Sequence, residues 1–305
     1  MEEAAELINY LPLSFKTPKE QEYIEFLWDG GWNMQFPDRN EYFWAREQLT
    51  GPVFPGKPNG PKFAAGGTGP EAPAALTKMK GTIRFPGVPN VSFNELYFYQ
   101  EAATARASFF TEVSYRNVSP LYGEYHSGFS NTNLGTKALL LDCELMQLTF
   151  QFKTYIPIGP AAKGLSNGHV SLEPSLLAAI RLAPETYFQG QLSEWIPIGG
   201  DPTYAGALLH YYFSLNQVLY KMAETSPPIG TVEFNGWSFQ DGAYTNPYAV
   251  SPQGIRSSGT TYFSIGPGLC ASICDSVDFG AAVAFPVSDH FWASPWLRVE
   301  FRILF

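Results

Sequence analysis

The sequence predicts an all-β fold: an antiparallel, up-and-down transmembrane β-barrel of about twelve strands with an irregular N-terminal segment. Three observations predict it. Apolar and polar residues alternate with period two through most of the chain beyond residue 80, the signature of strands with two unlike faces. The connections between these strands alternate between short and long, as in barrels with tight turns at one end and loops at the other. Finally, the chain is 16% aromatic and only 15% charged, below the roughly 25% charged content of soluble domains. No stretch approaches the roughly 20 apolar residues of a membrane-spanning helix. A closed barrel is then the one way to cross a bilayer with every backbone group paired.

Residues 1–77 read differently from residues 78–305. Short helices are expected at residues 2–11 and 18–27, the second with Pro18 in its first turn. Asp29-Gly30-Gly31-Trp32 follows, then a Gly- and Pro-dense stretch over residues 51–73 that is no single regular element. Trp28, Trp32, Phe36, Tyr42, Phe43 and Trp44 are too aromatic for a solvated tether. The segment is expected to act as a plug, a periplasmic arm or a partner-docking region. Met1-Glu2-Glu3-Ala4-Ala5 lacks the basic region and apolar run of a secretory signal, so a signal is expected upstream.

Strands are expected over residues 93–101, 104–118, 135–142, 145–158, 169–182, 187–198, 204–219, 230–240, 260–271, 277–287 and 296–305. Barrels formed by one bacterial chain have even strand numbers, so a twelfth is needed upstream, near Thr82 or within residues 22–35. Short connections fall at residues 102–103, 143–144, 183–184 and 272–276. Long ones fall at residues 119–133, 159–168, 240–259 and 288–295; residues 199–203 are shorter than their class and residues 220–229 longer. Counting back from Phe305 puts the C-terminus at the short-turn end, which is periplasmic in such barrels.

Alternation gives each strand its faces. Leu148, Phe150 and Phe152 oppose Gln147, Thr149, Gln151 and Lys153; Leu172, Leu176 and Ile180 oppose Ser171, Glu173, Ser175 and Arg181. In a soluble sandwich the apolar face would point inward, and alternation alone does not separate the two cases. The polar faces favour the lumen: they are poor in Lys and rich in Arg, Glu, His, Gln, Ser and Tyr, groups that pair and hydrogen-bond when enclosed. The expected lumen lining includes Arg106, Glu112, Arg116, Lys153, Glu173, Arg181, His210, Glu233, Arg298, Glu300 and Arg302. The alternative is that these charges only pair and hold the barrel in shape. Two residues sit awkwardly. Pro174 requires a bulge or a pairing gap, and Glu194 falls on an apolar face, tolerable only at head-group level. Trp195, Tyr204, Trp292 and Trp296 lie near strand ends, as interfacial belts do, and equally suit a core.

Three cysteines, Cys143, Cys270 and Cys274, fit no zinc or haem spacing. Cys270 and Cys274 would bridge a tight turn in an oxidising compartment; three free, half-buried thiols are the favoured alternative. No metal or cofactor site is expected.

The final strand ends on a bare aromatic residue, with Leu297, Val299, Phe301, Ile303 and Phe305 on one face and Arg298, Glu300 and Arg302 on the other. It resembles the closing strand of bacterial outer-membrane barrels, in which residues such as Phe301, Ile303 and Phe305 are read by the barrel-insertion machinery. Further stretches carry a wider resemblance: residues 135–142 (GTKALLLD), 171–177 (SLEPSLL), 189–200 (QGQLSEWIPIGG) and 234–238 (FNGWS). From about residue 90 onward the chain resembles outer-membrane barrel proteins likened to the MetA-pathway-of-phenol-degradation transporter family. The resemblance implies a barrel and a transport role, and supplies no site residues.

The net charge of −9 excludes a nucleic-acid partner, which needs a positive field. Neither a Gly-x-Ser-x-Gly elbow nor a phosphate loop is present, so an enzyme is not expected. The expected function is passive passage of small solutes across the bacterial outer membrane. The alternative is a structural anchor or a subunit of a larger assembly that grips a partner, or another copy of itself, through its N-terminal segment or long loops.

Overall fold

The computed structural model describes residues 22–34, 91–120, 125–200, 205–219, 228–245, 254–274, 276–289, 291 and 293–305. Twelve antiparallel strands close into one barrel. In chain order they are β1 (Tyr23–Met34), β2 (Val91–Ala103), β3 (Ala107–Pro120), β4 (His126–Asp142), β5 (Met146–Pro157), β6 (Val170–Ala183), β7 (Thr186–Ile198), β8 (Leu208–Val218), β9 (Ile229–Phe239), β12 (Thr261–Cys274), β13 (Val277–Pro286) and β14 (Trp296–Leu304). Strands β10 (Ala243–Thr245) and β11 (Gly254–Arg256) form a separate two-stranded hairpin in the connection from β9 to β12.

Each barrel strand pairs with its neighbours in sequence, and β1 pairs with β14 from Tyr23↔Leu304 to Gly31↔Trp296. The chain therefore enters and leaves the barrel at the same end, where the Thr104–Arg106, Cys143–Leu145 and Pro184–Glu185 turns also lie. We call this the turn end and the opposite one the loop end.

Strand β1 is the twelfth strand expected within residues 22–35, and it also corrects two expectations. Residues 23–27 are strand rather than helix, and β1 belongs to the barrel although it lies within the stretch read as a separate N-terminal segment. Tyr23, Glu25, Leu27 and Asp29 point inward and are buried; Ile24, Phe26 and Trp28 point outward. The two glycines that read as a turn are a packing requirement: a Cβ on Gly31 would lie 2.1 Å from the ring of its cross-strand partner Phe93. Because β1 ends at Met34, opposite Val91, residues 35–90 join β1 to β2 at the loop end. The helix expected at residues 2–11 lies outside the described residues.

Strand β4 begins at His126, so most of the polar loop expected over residues 119–133 is strand. A bulge lets both Ser130 and Asn131 turn inward: Val113 pairs with Thr132 but Tyr115 with Phe129. Pro174 has no N–H to give, and the β6–β7 ladder breaks there, passing from Leu172↔Ile196 to Ser175↔Ser193 without change of register.

The distribution of side chains is inverted relative to a soluble protein. Phe98, Phe109, Leu192, Leu269, Phe279 and Phe285 stand exposed on the outer wall. Inside, the Lys137 and Glu101 side chains are 0% exposed. An apolar outer wall around a charged interior is unfavourable in water and is what a lipid surround requires. The chain therefore folds as a transmembrane barrel. Glu194 faces outward near the loop end, where the Gln240 side-chain amide donates to it at 3.3 Å.

Strand β12 continues to Cys274, which corrects the expected bridge. Cys270 and Cys274 lie on one strand, not across a turn. Four residues of strand span about 13 Å, well beyond the roughly 7 Å limit for a disulfide. Cys270 is a free, buried thiol and Cys143 a free, exposed one.

Candidate functional site

Three layers of inward side chains divide the interior. At the turn end, Tyr23, Tyr99 and Phe110 stack in a row, with ring centroids 5.1 and 5.3 Å apart, and Leu304 packs beside them. Phe110 lies over Gly135, where a Cβ would come within 2.2 Å of the ring. The Lys137 ammonium sits 2.7 Å from Glu101 and within 6 Å of the Tyr99 and Phe110 rings. Tyr99 and Ser108 also donate to Glu101. Nearby, Arg302 pairs with Glu300 and approaches Glu25 at 4.0 Å. This layer is a dense, ion-paired aromatic floor.

At the loop end, the β5–β6 connection folds into the mouth. A 3₁₀ turn at Ala161–Lys163 ends on Gly164 in the left-handed region (φ 72°), which reverses the chain. Leu165 then inserts among Met34, Val91, Phe93, Val118 and Ala293. Ser166 donates to the Gly159 carbonyl at 2.6 Å and so ties the loop to itself. A second cluster gathers Trp195, Leu208, Trp237, Phe239 and Tyr262, with Tyr155, Tyr212 and Trp296 against it. Trp195 and Trp296 thus face the lumen, which rules out an interfacial belt for these two; Tyr204 and Trp292 lie outside the described residues.

His169 follows the inserted loop. It is buried, its ring stands edge-on to Trp195 at 5.6 Å, and neither ring nitrogen has a side-chain partner. Burial lowers its pKa to about 4 from the usual 6.5. Protonation therefore opposes the folded loop. Its neutral state contributes stability that is fully present above pH 6.5 and is lost as pH falls from 6.5 toward 4. The expected result is an imidazole titrating near pH 4 by NMR, with the loop loosening over that window by up to about 3 kcal/mol. Replacement of His169 by Gln is expected to remove this pH dependence.

Between floor and lid lies a chamber of about 230 Å³. Its charged groups come from six strands and meet in four sets. Arg298 grips Asp29 through two bonds of 2.6 Å across the β1–β14 seam. Arg116 binds Glu95 at 2.8 Å, and its other arm reaches the Gly164 carbonyl of the inserted loop at 3.5 Å. Lys153 lies 2.9 Å from Glu112, which also accepts from Asn133 at 2.6 Å. Glu173 accepts from Ser193 at 2.8 Å and from Tyr155, and lies 2.9 Å from His210 Nδ1. The rings of Tyr97, Tyr155, Tyr212 and Trp237 complete the wall.

Six of the residues read as lumen-lining from sequence border this chamber: Glu112, Arg116, Lys153, Glu173, His210 and Arg298. Glu233, Glu300 and Arg302 also face inward, outside it. Two are corrected. Arg106 lies exposed in the β2–β3 turn, because the alternation ran on past the end of the strand. Arg181 sits at the turn-end rim, 3.5 Å from Glu144. The reading from sequence missed Asp29, Glu95 and Tyr97. Asp29 was masked by the adjacent glycines. Glu95 and Tyr97 carried a legible signal, since both share the inward face of β2.

No family model and no characterised sequence matches the chain. Among solved structures, it is similar to the COG4313 outer membrane channel from Pseudomonas putida F1. That likeness has a TM-score of 0.58 at 9% identity and covers 97% of this chain and 99% of that one. A KdgM porin (TM-score 0.41, 9% identity, 70% and 92% covered) and a NanC porin (0.46, 4%, 70% and 93%) are more distant. At these identities the likeness is one of fold.

Proposed function

We propose that this protein is a bacterial outer-membrane channel for small polar solutes, narrow and controlled by its inserted loop. The observation that carries the reading is the mid-barrel chamber, lined by opposed charges, inside a wall that is apolar outside. Opposed charges across a narrow lumen set a transverse field and a size limit, which suits small solutes. The lid and the aromatic floor make passage depend on local side-chain and loop movement. The β5–β6 loop is the natural moving part; among the described residues, the backbone and side-chain bonds from it to the wall include Arg116 to Gly164 and Gly159 to Ser130. Kinship with the phenol-degradation transporter group belongs to this proposal; its support is the four stretches quoted above and the barrel they build.

Planar-bilayer recording on purified protein tests the reading. The expected result is small, discrete conductance steps that grow when residues 161–166 are replaced by a short Gly-Ser linker. A bilayer silent with both proteins would overturn the channel and favour a structural anchor held in shape by its buried ion pairs.

A further inference from the structure

We infer that the chamber is a binding site for a small organic cation bearing ammonium groups. This deepens the channel reading and rests on it only for how the solute arrives. The first observation is a surplus of acceptors. Among the described residues, four buried oxygens of side chains that line the chamber have no hydrogen-bond partner: Glu95 Oε1, Asn131 Oδ1, Asn133 Oδ1 and Gln151 Oε1. The orientation of Asn133 is set, because its amide nitrogen donates to Glu112. Buried acceptors without donors are costly, and a donor-rich occupant relieves that cost.

The second observation is a cation already held there. The Lys153 ammonium lies 2.9 Å from Glu112 and 4.8 Å from the centre of the Tyr155 ring. Arg298 repeats the pattern, between Asp29 and the Trp296 ring at 4.9 Å. A carboxylate on one side and a π-face on the other is how a desolvated organic cation is recognised. Among the described residues the chamber is lined by four carboxylates, Asp29, Glu95, Glu112 and Glu173, against three permanent cations, Arg116, Lys153 and Arg298, with the His210 imidazole beside Glu173. Aromatic walls favour a carbon-bearing ammonium over a bare metal ion, which prefers all-oxygen shells.

Binding of putrescine to the purified, detergent-folded protein tests this, by titration calorimetry and tryptophan fluorescence. Isosteric 1,4-butanediol, succinate and potassium serve as comparisons. Putrescine is expected to bind, with the other three at least tenfold weaker. Gln151→Lys adds a positive charge without removing any ion pair and is expected to weaken putrescine binding by about tenfold or more. Gln151→Glu is expected to strengthen it, and Glu185→Gln, at an exposed turn, to leave it unchanged. Retention of the folded gel form verifies each variant. Equal binding of the diol, stronger binding of potassium, or insensitivity to Gln151→Lys would overturn the site. Conductance without putrescine binding would overturn the site alone, whereas binding without conductance would support the site and sink the channel.

Discussion

Deleting residues 1–34 is expected to abolish barrel formation, whereas replacing residues 35–90 with a short flexible turn should leave a folded barrel. The first change removes β1, and with it the ladders that run from Tyr23 to Gly31 on the β14 side and to Met34 on the β2 side. Strands β2 and β14 would then present unpaired edges to lipid. Each unsatisfied backbone group there costs several kcal/mol. The sum far exceeds the roughly 5–15 kcal/mol net stability of a folded domain. The second change spares every barrel strand. Met34 and Val91 are cross-strand partners, so a tight hairpin can join them. Loop closure becomes easier as the loop shortens, by about 0.6 kcal/mol per halving. Refolding into detergent, followed by the shift in gel migration between unheated and heated samples, reads both outcomes. A heat-modifiable barrel without residues 1–34 would mean that β14 closes on some other strand.

The second large effect concerns the seam itself. Asp29→Ala or Arg298→Ala is expected to destabilise the barrel by about 3–5 kcal/mol, because each leaves a buried charge without its partner. The double variant is expected to cost less than the two single variants added together, since it removes both charges. The geometry makes the case a strong one: two bonds of 2.6 Å, between residues opposite each other on the strands that close the barrel. Urea unfolding of lipid-refolded protein measures all three. Additive losses would mean that the two residues act separately.

Much of this fold was readable from sequence because a barrel strand repeats one rule, apolar out and polar in. Leu148, Phe150 and Phe152 against Gln147, Thr149 and Gln151 is the plainest instance, and the structure orients that strand as read. The first strand was partly legible, since the even strand count called for one within residues 22–35, but a packing feature blurred it. Gly30 and Gly31 imitate a turn, yet they are small because the rings of Trp28, Trp32 and Phe93 occupy the space where side chains would stand. Strand β4 was obscured because inward-facing Ser130, Asn131 and Asn133 give a polar run that reads as loop. The site was only partly legible. Alternation tells which way Glu112 or Arg298 points, but not that Lys153 meets the one and Asp29 the other. Those partnerships depend on strand register and on which strands close the barrel. The inserted Leu165 had no periodic signal at all, since its placement comes from a left-handed turn at Gly164.

Closure between the first and last strands is the feature on which the barrel, the seam ion pair and the enclosed chamber all depend. It is tested most directly by a cross-link. In a background with Cys143, Cys270 and Cys274 replaced by Ser, Ile24→Cys is combined with Ile303→Cys, its partner in the β1–β14 ladder. Oxidation of the folded protein is expected to give a disulfide at this pair and none when Ile24→Cys is combined with Phe301→Cys, one step out of register. A disulfide at the shifted pair, or at neither, would contradict the closure and the chamber built on it.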